Sequence, residues 1–354
     1  MIKLDPIYEK LMNAFGISAY EHNVFQIILA EMRKYNQFKI EVDNIGSIFA
    51  VKPSKQKDAK TVMIAGHMDE VGLMISDILP NGAIKVIPIG GLVAEVFISQ
   101  KLYAETKKGL VPGIIGSVPP HLSKNQAADF PDLIFDIGAK SKEDVLSAGV
   151  AVGDMVLPKN DFELNFNGTK AMSKAVDNRW GCGMALEIIR DFNDVDLPFN
   201  LVVGATVQEE VGLRGAGTSV FKFKPDFFLA LDASPLNDLA DPKASGKMGD
   251  GFLIRLFDPR NIMAPRLFNY FKDLAAQNQI NYQVYIAKGG TDAARALDSN
   301  DGIIATTIGL PARYIHSTVA MFDLSDHHAA WLMVRALLKD LTNEKIAKLQ
   351  NPLL

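Results

Sequence analysis

The run Leu201 to Gly217, LVVGATVQEEVGLRGAG, constrains this chain more than any other stretch. It opens with a continuous apolar segment, Leu201 to Val207, rich in β-branched residues. Such a segment is buried on both faces, as in a parallel sheet covered by helices on each side. It breaks off at two adjacent carboxylates, Glu209 and Glu210, and a glycine-punctuated helix start follows over Gly212 to Gly217. Ligands of open α/β sheets gather just beyond the carboxyl ends of the strands, so chemistry is expected here. Two carboxylates held together at such a place repel each other and are costly unless a cation accompanies them. A metal ion is the simplest cation to supply; a solvated acidic turn is the plainer alternative.

The same grammar recurs. Thr61 to Ala65 is an apolar run that leads into Gly66-His67-Met68-Asp69-Glu70. Phe227 to Leu231 ends in Asp232, the run Ala312 to Ile315 ends in His316, and Asp177 stands just before a helix expected over 179–192. Further helices are expected at about 20–34, with Val24, Ile27, Ile28 and Met32 on one face, at 213–221, at 264–278 and at 325–341. Strands are expected at 37–42, 47–52, 251–257, 282–286 and 302–308. Strands alternating with helices point to a layered α/β domain.

From about 71 to 165 the character changes. Short β runs alternate with Gly and Pro, Asn81-Gly82 marks a hairpin, and only 141–149 reads as helix. A small barrel or sandwich inserted into the α/β domain fits that pattern. Residues 1–70 and 166–354 would then form one domain and 71–165 a second. The many short strands of the insert would expose edges, a liability unless paired or covered, so its expected task is subunit contact.

Composition narrows the function. A net charge of −4 over 354 residues, without a long basic run, argues against nucleic-acid binding. A single cysteine, Cys182, excludes an intramolecular disulfide and fits a reducing compartment. No apolar run is long enough for a membrane span, and MIKLDPIYEKL has no apolar leader core, so a cytoplasmic protein is expected.

His67, Asp177, Glu210, Asp232 and His316 all fall at strand ends or in the loops after them. They offer oxygen and imidazole donors without a thiolate, which suits catalytic zinc, cobalt or manganese better than structural zinc. These residues are too many for one open catalytic zinc and fit two metals that share a carboxylate at about 3.5–4 Å. Asp69 could accept the other ring N–H of His67. Glu209 remains unligated, as a general base must be. Each residue has a plainer role: a packed histidine at 67, a helix N-cap at Asp177, a turn at Asp232. His22, His327 and His328 are read as structural, and His121 is left open. A glycoside hydrolase would need its two carboxylates to flank the bond, about 5 Å or more apart, and would leave the histidines idle. A non-catalytic scaffold would be expected to lack the base or a ligand, and none is missing.

At these same residues the sequence closely resembles the co-catalytic metallo-aminopeptidases of the M42 family, typified by the bacterial glutamyl aminopeptidases. The matching stretches are GHMDEVG (66–72), KAVDNRWGCG (174–183), QEEVGLRGA (208–216), LDAS (231–234), KGGTDA (288–293) and RYIHS (313–317). The resemblance implies a phosphorylase/hydrolase-like three-layer catalytic domain interrupted by a β-rich dimerisation domain, with dimers assembling into tetrahedral dodecamers. It implies that His67, Asp177 and Asp232 hold one metal and that Asp177, Glu210 and His316 hold the second. Glu209 would be the base and Asp69 the partner of His67. The substrates would be peptides, trimmed from the N-terminus, with Glu or Asp preferred. An acidic side chain near this site needs a cationic partner, for which Arg255, Arg260 and Lys288 are candidates; Gly289, Gly290 and Thr291 would offer backbone N–H groups. The flanks Asp258-Pro259-Arg260 and Ala294-Arg295 depart from the glutamyl-type pattern, which leaves a broad Leu/Ala-type specificity as the alternative.

Overall fold

Neither face of the strand that ends in the carboxylate pair meets water, and it accordingly lies inside a large sheet. The computed structural model describes residues 2–117, 129–241 and 243–350; His121 lies outside them. The chain begins with helices α1 (Pro6–Asn13) and α2 (His22–Met32) and strands β1 (Lys39–Val42), β2 (Ile48–Lys52) and β3 (Thr61–His67). Asp5 caps α1 through the amide of Ile7 at 2.9 Å. Six strands of the middle segment follow: β4 (Gly72–Ile78), β5 (Ile84–Ile89), β6 (Lys101–Thr106), β7 (Gly109–Ile115), β8 (Ile134–Asp136) and β9 (Met155–Pro158), with α3 (Lys142–Ser147) between the last two.

The chain then returns through β10 (Glu163–Leu164), β11 (Lys170–Ser173), α4 (Val176–Asp191), β12 (Asn200–Thr206), α5 (Arg214–Phe223) and β13 (Phe227–Leu236). It continues with β14 (Phe252–Asp258), β15 (Asn261–Ile262), α6 (Pro265–Gln277), β16 (Tyr282–Ile286) and α7 (Asp292–Leu297). Strands β17 (Ile304–Arg313) and β18 (Ala320–Asp323) and helices α8 (Leu324–Asp340) and α9 (Asn343–Leu349) complete it.

The large sheet runs β1-β2-β12-β3-β13-β17-β18-β11-β10, and β14 joins it at β17 and carries β15 and β16. Its centre, β12-β3-β13-β17, is parallel. Alternate residues of these strands enter two separate cores. Val62, Ile64, Leu201, Val203, Ala205, Leu229 and Leu231 pack with α1, α2, α4, α6 and α8. Met63, Ala65, Val202, Phe228 and Ala230 pack with α5 and α7 on the other side. The result is the helix–sheet–helix layering expected from the sequence. Helix α4 lies directly on the sheet, because a Cβ at Gly66 would stand 2.4 Å from the backbone of Gly181. That close approach places the start of α4, and with it Asp177, beside the end of β3.

The middle segment closes on itself in the order β4-β5-β8-β7-β6-β9. Its interior is filled by residues such as Leu73, Ile75, Val86, Leu102, Ile115 and Phe135. Asn81-Gly82 makes the β4–β5 hairpin, with Gly82 at φ +84° where a side chain would be strained. Closure corrects one expectation: every barrel strand is paired on both sides, so the barrel exposes no free edge among the described residues. The stretch Ala94–Phe97 is a 3₁₀ turn whose Ala94 and Phe97 plug the barrel core. The large sheet takes the chain back at Glu163, ahead of the boundary expected at 165. Phe15 and Ile17 pack against Met155 and Leu157 and join the barrel to the rest. Among the described residues no helix is long and apolar enough to cross a membrane.

Candidate metal centre and active site

Strand ends bring the candidate ligands to one side of the sheet. His67 closes β3 in register with Thr206 of β12, so Glu209 and Glu210 emerge beside it. Asp232 lies within β13, which continues to Leu236 in register with β17; it does not begin a turn. Asp177 caps nothing, since the N-cap position of α4 is Ala175. The backbone at Asp177 and Asn178 leaves helical geometry, with Asp177 at φ −85°, ψ 107°. His316 follows β17 in a left-handed conformation, φ 57°, uncommon for a residue with a side chain.

All the candidate ligands converge. The Nε2 of His67 lies 3.1 Å from Asp177 Oδ1, 3.7 Å from Asp232 Oδ1 and 3.9 Å from Glu209 Oε2. The Nε2 of His316 lies 3.4 Å from Asp177 Oδ2 and 3.4 Å from Glu210 Oε2. Asp177 thus turns one oxygen to each histidine. Ligand atoms of His67, Asp177 and Asp232 all lie within 4.8 Å of one another, as do those of Asp177, Glu210 and His316. A further group, His67 with Glu209 and Glu210, meets the same limit. Among the described residues, two buried carboxylate oxygens, Glu210 Oε1 and Asp232 Oδ1, have no hydrogen-bond partner. Unsatisfied buried carboxyl oxygens grouped with imidazoles match the donor set of a divalent cation, so the residues fit a metal.

The electrostatics point the same way. Burial raises Glu209 well above the ordinary carboxylate value, partly offset by His67 and reinforced by Glu210, Asp232 and Asp292. Burial and Asp177 raise Glu210 to about 8. Burial also raises Asp232. Burial works against charge on His67, yet Glu209, Asp177, Asp232 and Asp69 outweigh it and hold the imidazole well above its usual value. His316, likewise opposed by burial, is lifted to about 10 by Asp177 and Glu210. Asp177, despite burial, is held far down by its contacts with both histidines. In the bare site, protons stand where a cation would otherwise balance the carboxylates.

A second set of groups fixes these side chains. The Nδ1 of His67 faces the backbone carbonyl of Asp69 at 3.0 Å, with the Asp69 carboxylate at 3.4 Å. The Asp69 carboxylate, expected to serve His67, chiefly accepts from Ser18 Oγ at 2.6 Å and from the amides of Glu209 at 3.0 Å and Glu210 at 3.1 Å. It therefore ties β3 to the carboxylate pair. The Nδ1 of His316 meets the carbonyl of Gly91, in the loop after β5, at 2.7 Å. Beneath α4, Arg179 donates to the carbonyls of Met68, Leu11, Ala14 and Gly16, and Lys174 binds Glu70 at 2.6 Å. Burial lowers the Lys174 ammonium to about 8 in spite of Glu70.

The ligands line a cavity of about 640 Å³ together with Arg255, Arg260, Lys288, Gly289 and Gly290. Arg255 is buried, with its Nη atoms 3.4 Å from Gly289 O and Ser234 Oγ and Nη1 3.8 Å from Asp258 Oδ2; among the described residues its Nε has no hydrogen-bond partner. Thr291 is not at this surface: it is buried, meets Thr307 Oγ1 at 2.8 Å and caps α7. Its neighbour Asp292 was not singled out in the sequence. It is buried under the site, accepts from Thr206 Oγ1 at 2.5 Å and leaves Oδ1 unpaired. Its place in KGGTDA was the available signal; Gly91 carried none. His327 accepts from Trp180 Nε1 at 3.1 Å, and burial lowers it to about 3, consistent with a structural role.

A family model described as M42 glutamyl aminopeptidase matches residues 46–333. The glutamyl aminopeptidase of Lactococcus lactis subsp. cremoris (strain MG1363) is 40% identical over 94% of this chain and 95% of its own. The lysyl aminopeptidase of Pyrococcus furiosus is 30% identical over 95% of this chain and 96% of its own. The solved Pyrococcus horikoshii TET1 peptidase, which can assemble into a tetrahedron or a large octahedral shell, superposes with a TM-score of 0.85. It is 30% identical and covers 95% of this chain and 99% of its own. The chain belongs to the M42 glutamyl aminopeptidase family and is a peptide hydrolase.

The raised pKa values carry a consequence for metal uptake. The fields that raise His67, lift His316 to about 10 and lift Glu210 to about 8 favour protons that an incoming cation must displace. Apparent affinity for zinc or manganese should therefore rise as pH increases from about 6 to 8.5, with protons released on binding. Calorimetry in buffers of different ionisation heat measures both; pH-independent affinity without proton release would contradict this electrostatic picture.

Proposed function

We propose that the chain is a two-metal aminopeptidase that removes N-terminal Glu or Asp from peptides. The observation that carries this reading is the division of one crowded pocket into two donor groups that share Asp177. His67, Asp177 and Asp232 would hold one cation, and Asp177, Glu210 and His316 the other. When bound, two zinc, cobalt or manganese ions would polarise the scissile carbonyl and acidify the attacking water. Glu209 is the remaining carboxylate at the cavity. Its elevated proton affinity suits a base that accepts a proton from the water and returns it to the leaving amine. Asp69 sets the position of Glu209 and Glu210 through their amides.

For specificity, the buried guanidinium of Arg255, 3.8 Å from Asp258 Oδ2, lines the cavity, as does Lys288. Either supplies the positive charge that an acidic N-terminal side chain requires beside several carboxylates. The relative named for glutamyl cleavage favours this reading, whereas the one named for lysyl cleavage has a different preference. A panel of aminoacyl p-nitroanilides decides. Glu should be cleaved best, and Arg255→Ala should raise KM for Glu about tenfold more than for Leu. Wild-type preference for Leu or Ala would replace the acidic pocket with a broad-specificity enzyme.

The barrel is proposed as the subunit contact. One face of β7 presents Leu110, 43% exposed, and Ile114, 52% exposed. By analogy with the TET1 peptidase, dimers would assemble further into a tetrahedral dodecamer. A Leu110→Glu/Ile114→Glu variant should give a smaller particle than wild type in light scattering; an unchanged mass would remove β7 from the contact.

A further inference from the structure

A second cavity, of about 780 Å³, opens from the rim of the first: Gly212, Leu213 and Arg260 line both. It runs over the early turns of α5 and along α7, and its charged lining includes Arg214, Lys222, Arg260 and Arg295 against Asp43 and Asp298. Most of these charges are engaged. Lys222 donates to Val42 O at 2.8 Å and stands 3.4 Å from Glu41. Arg295 is 3.5 Å from Asp298. Asp43 accepts from the amides of Ile45, Gly46 and Ser47 and from the Thr218 hydroxyl. Arg214 and Arg260 differ, because among the described residues neither guanidinium has a carboxylate within 4.0 Å. Arg214 is aimed by its hydrogen bond to Gln208 Oε1 at 3.0 Å, and the stem of Arg260 lies over Gly290, where a Cβ would be 3.7 Å from its Cδ.

An aminopeptidase cuts the first peptide bond, so the rest of its substrate must leave the metal-centred cavity. An extended chain advances about 3.3 Å per residue, and a short peptide therefore reaches the second cavity within a few residues of the cut. We propose that this second cavity binds a carboxylate of the trailing part of the peptide, held by Arg214 and Arg260. The inference rests on the aminopeptidase reading and names a binding site for the far end of its substrate. The carboxylate has two possible sources, the peptide C-terminus or an acidic side chain after the cut.

A series Glu-(Ala)n with n from 1 to 4, each as free acid and as amide, tests this, together with an amide that carries an internal Glu. In wild type, kcat/KM for the acid should exceed that for the amide by about five- to tenfold at one chain length. Arg214→Gln should reduce that ratio about threefold, the scale of an exposed charge pair, chiefly through KM. Cleavage of Glu-p-nitroanilide, which does not reach the second cavity, should stay unchanged, and Arg214→Lys should restore part of the ratio. Raising NaCl to about 0.5 M should also lower it, since exposed charges are screened. Acceleration of the internal-Glu amide would assign the site to a side chain; acceleration of the free acids alone would assign it to the C-terminus. An acid-to-amide ratio of one at every length, with no gain from internal Glu, would overturn the proposal. So would a ratio that Arg214→Gln does not alter. Failure to cleave any substrate, Glu-p-nitroanilide included, would instead overturn the aminopeptidase reading beneath it.

Discussion

Mutual repulsion among carboxylates in a buried pocket governs this molecule. Asp177 at the start of α4 and Asp232 within β13 meet Glu209 and Glu210 beyond β12, where burial penalises each charge and neighbouring carboxylates add to the penalty. Two imidazoles are the cations closest at hand, and they leave Glu210 Oε1 and Asp232 Oδ1 unpaired. A layered sheet can hold such a cluster only if the backbone beneath it is fixed independently of it. The layering of two cores on β12, β3 and β13 provides that fixity.

The braces under the cluster consist of hydrogen bonds that cross between segments distant in sequence. Asp69 joins the end of β3 to the amides of Glu209 and Glu210 and to Ser18. Arg179 collects carbonyls from the N-terminal segment and from Met68, next to His67. Gly91 brings the barrel loop against His316, so the barrel helps to orient one candidate ligand. Assembly through the barrel and chemistry at the metal centre would in that case share a structural element.

Much of this was legible in the sequence, for physical reasons that differ between elements. Strand β12 announced itself because burial on both faces demands an uninterrupted apolar run, and the convergence of the candidate ligands His67, Glu210 and His316 follows from their places at or just beyond strand ends. Barrel closure was not legible, since pairing of β9 with β4 and β6 depends on residues far apart in the chain. Helices α7 and α9 are too short for a periodic signal. The motif offers Thr291 as a backbone N–H donor to the substrate, but the residue is buried away from the cavity, with its hydroxyl on α7 and Thr307. The carboxylate of Asp69 was matched to His67 by sequence proximity, but the amides of Glu209 and Glu210 come closer.

The central claim is a division of labour between adjacent residues, with Glu209 as base and Glu210 as ligand, although Glu209 also lies within ligand distance of His67 and Glu210. Metal content by elemental analysis, measured beside kcat for Glu209→Gln and Glu210→Gln, separates the two roles most directly. If Glu209 is the base and Glu210 a ligand, Glu209→Gln retains both metals and loses about 10²–10⁴-fold in kcat, while Glu210→Gln loses metal. Loss of metal from Glu209→Gln, or turnover within about threefold of wild type, would contradict it.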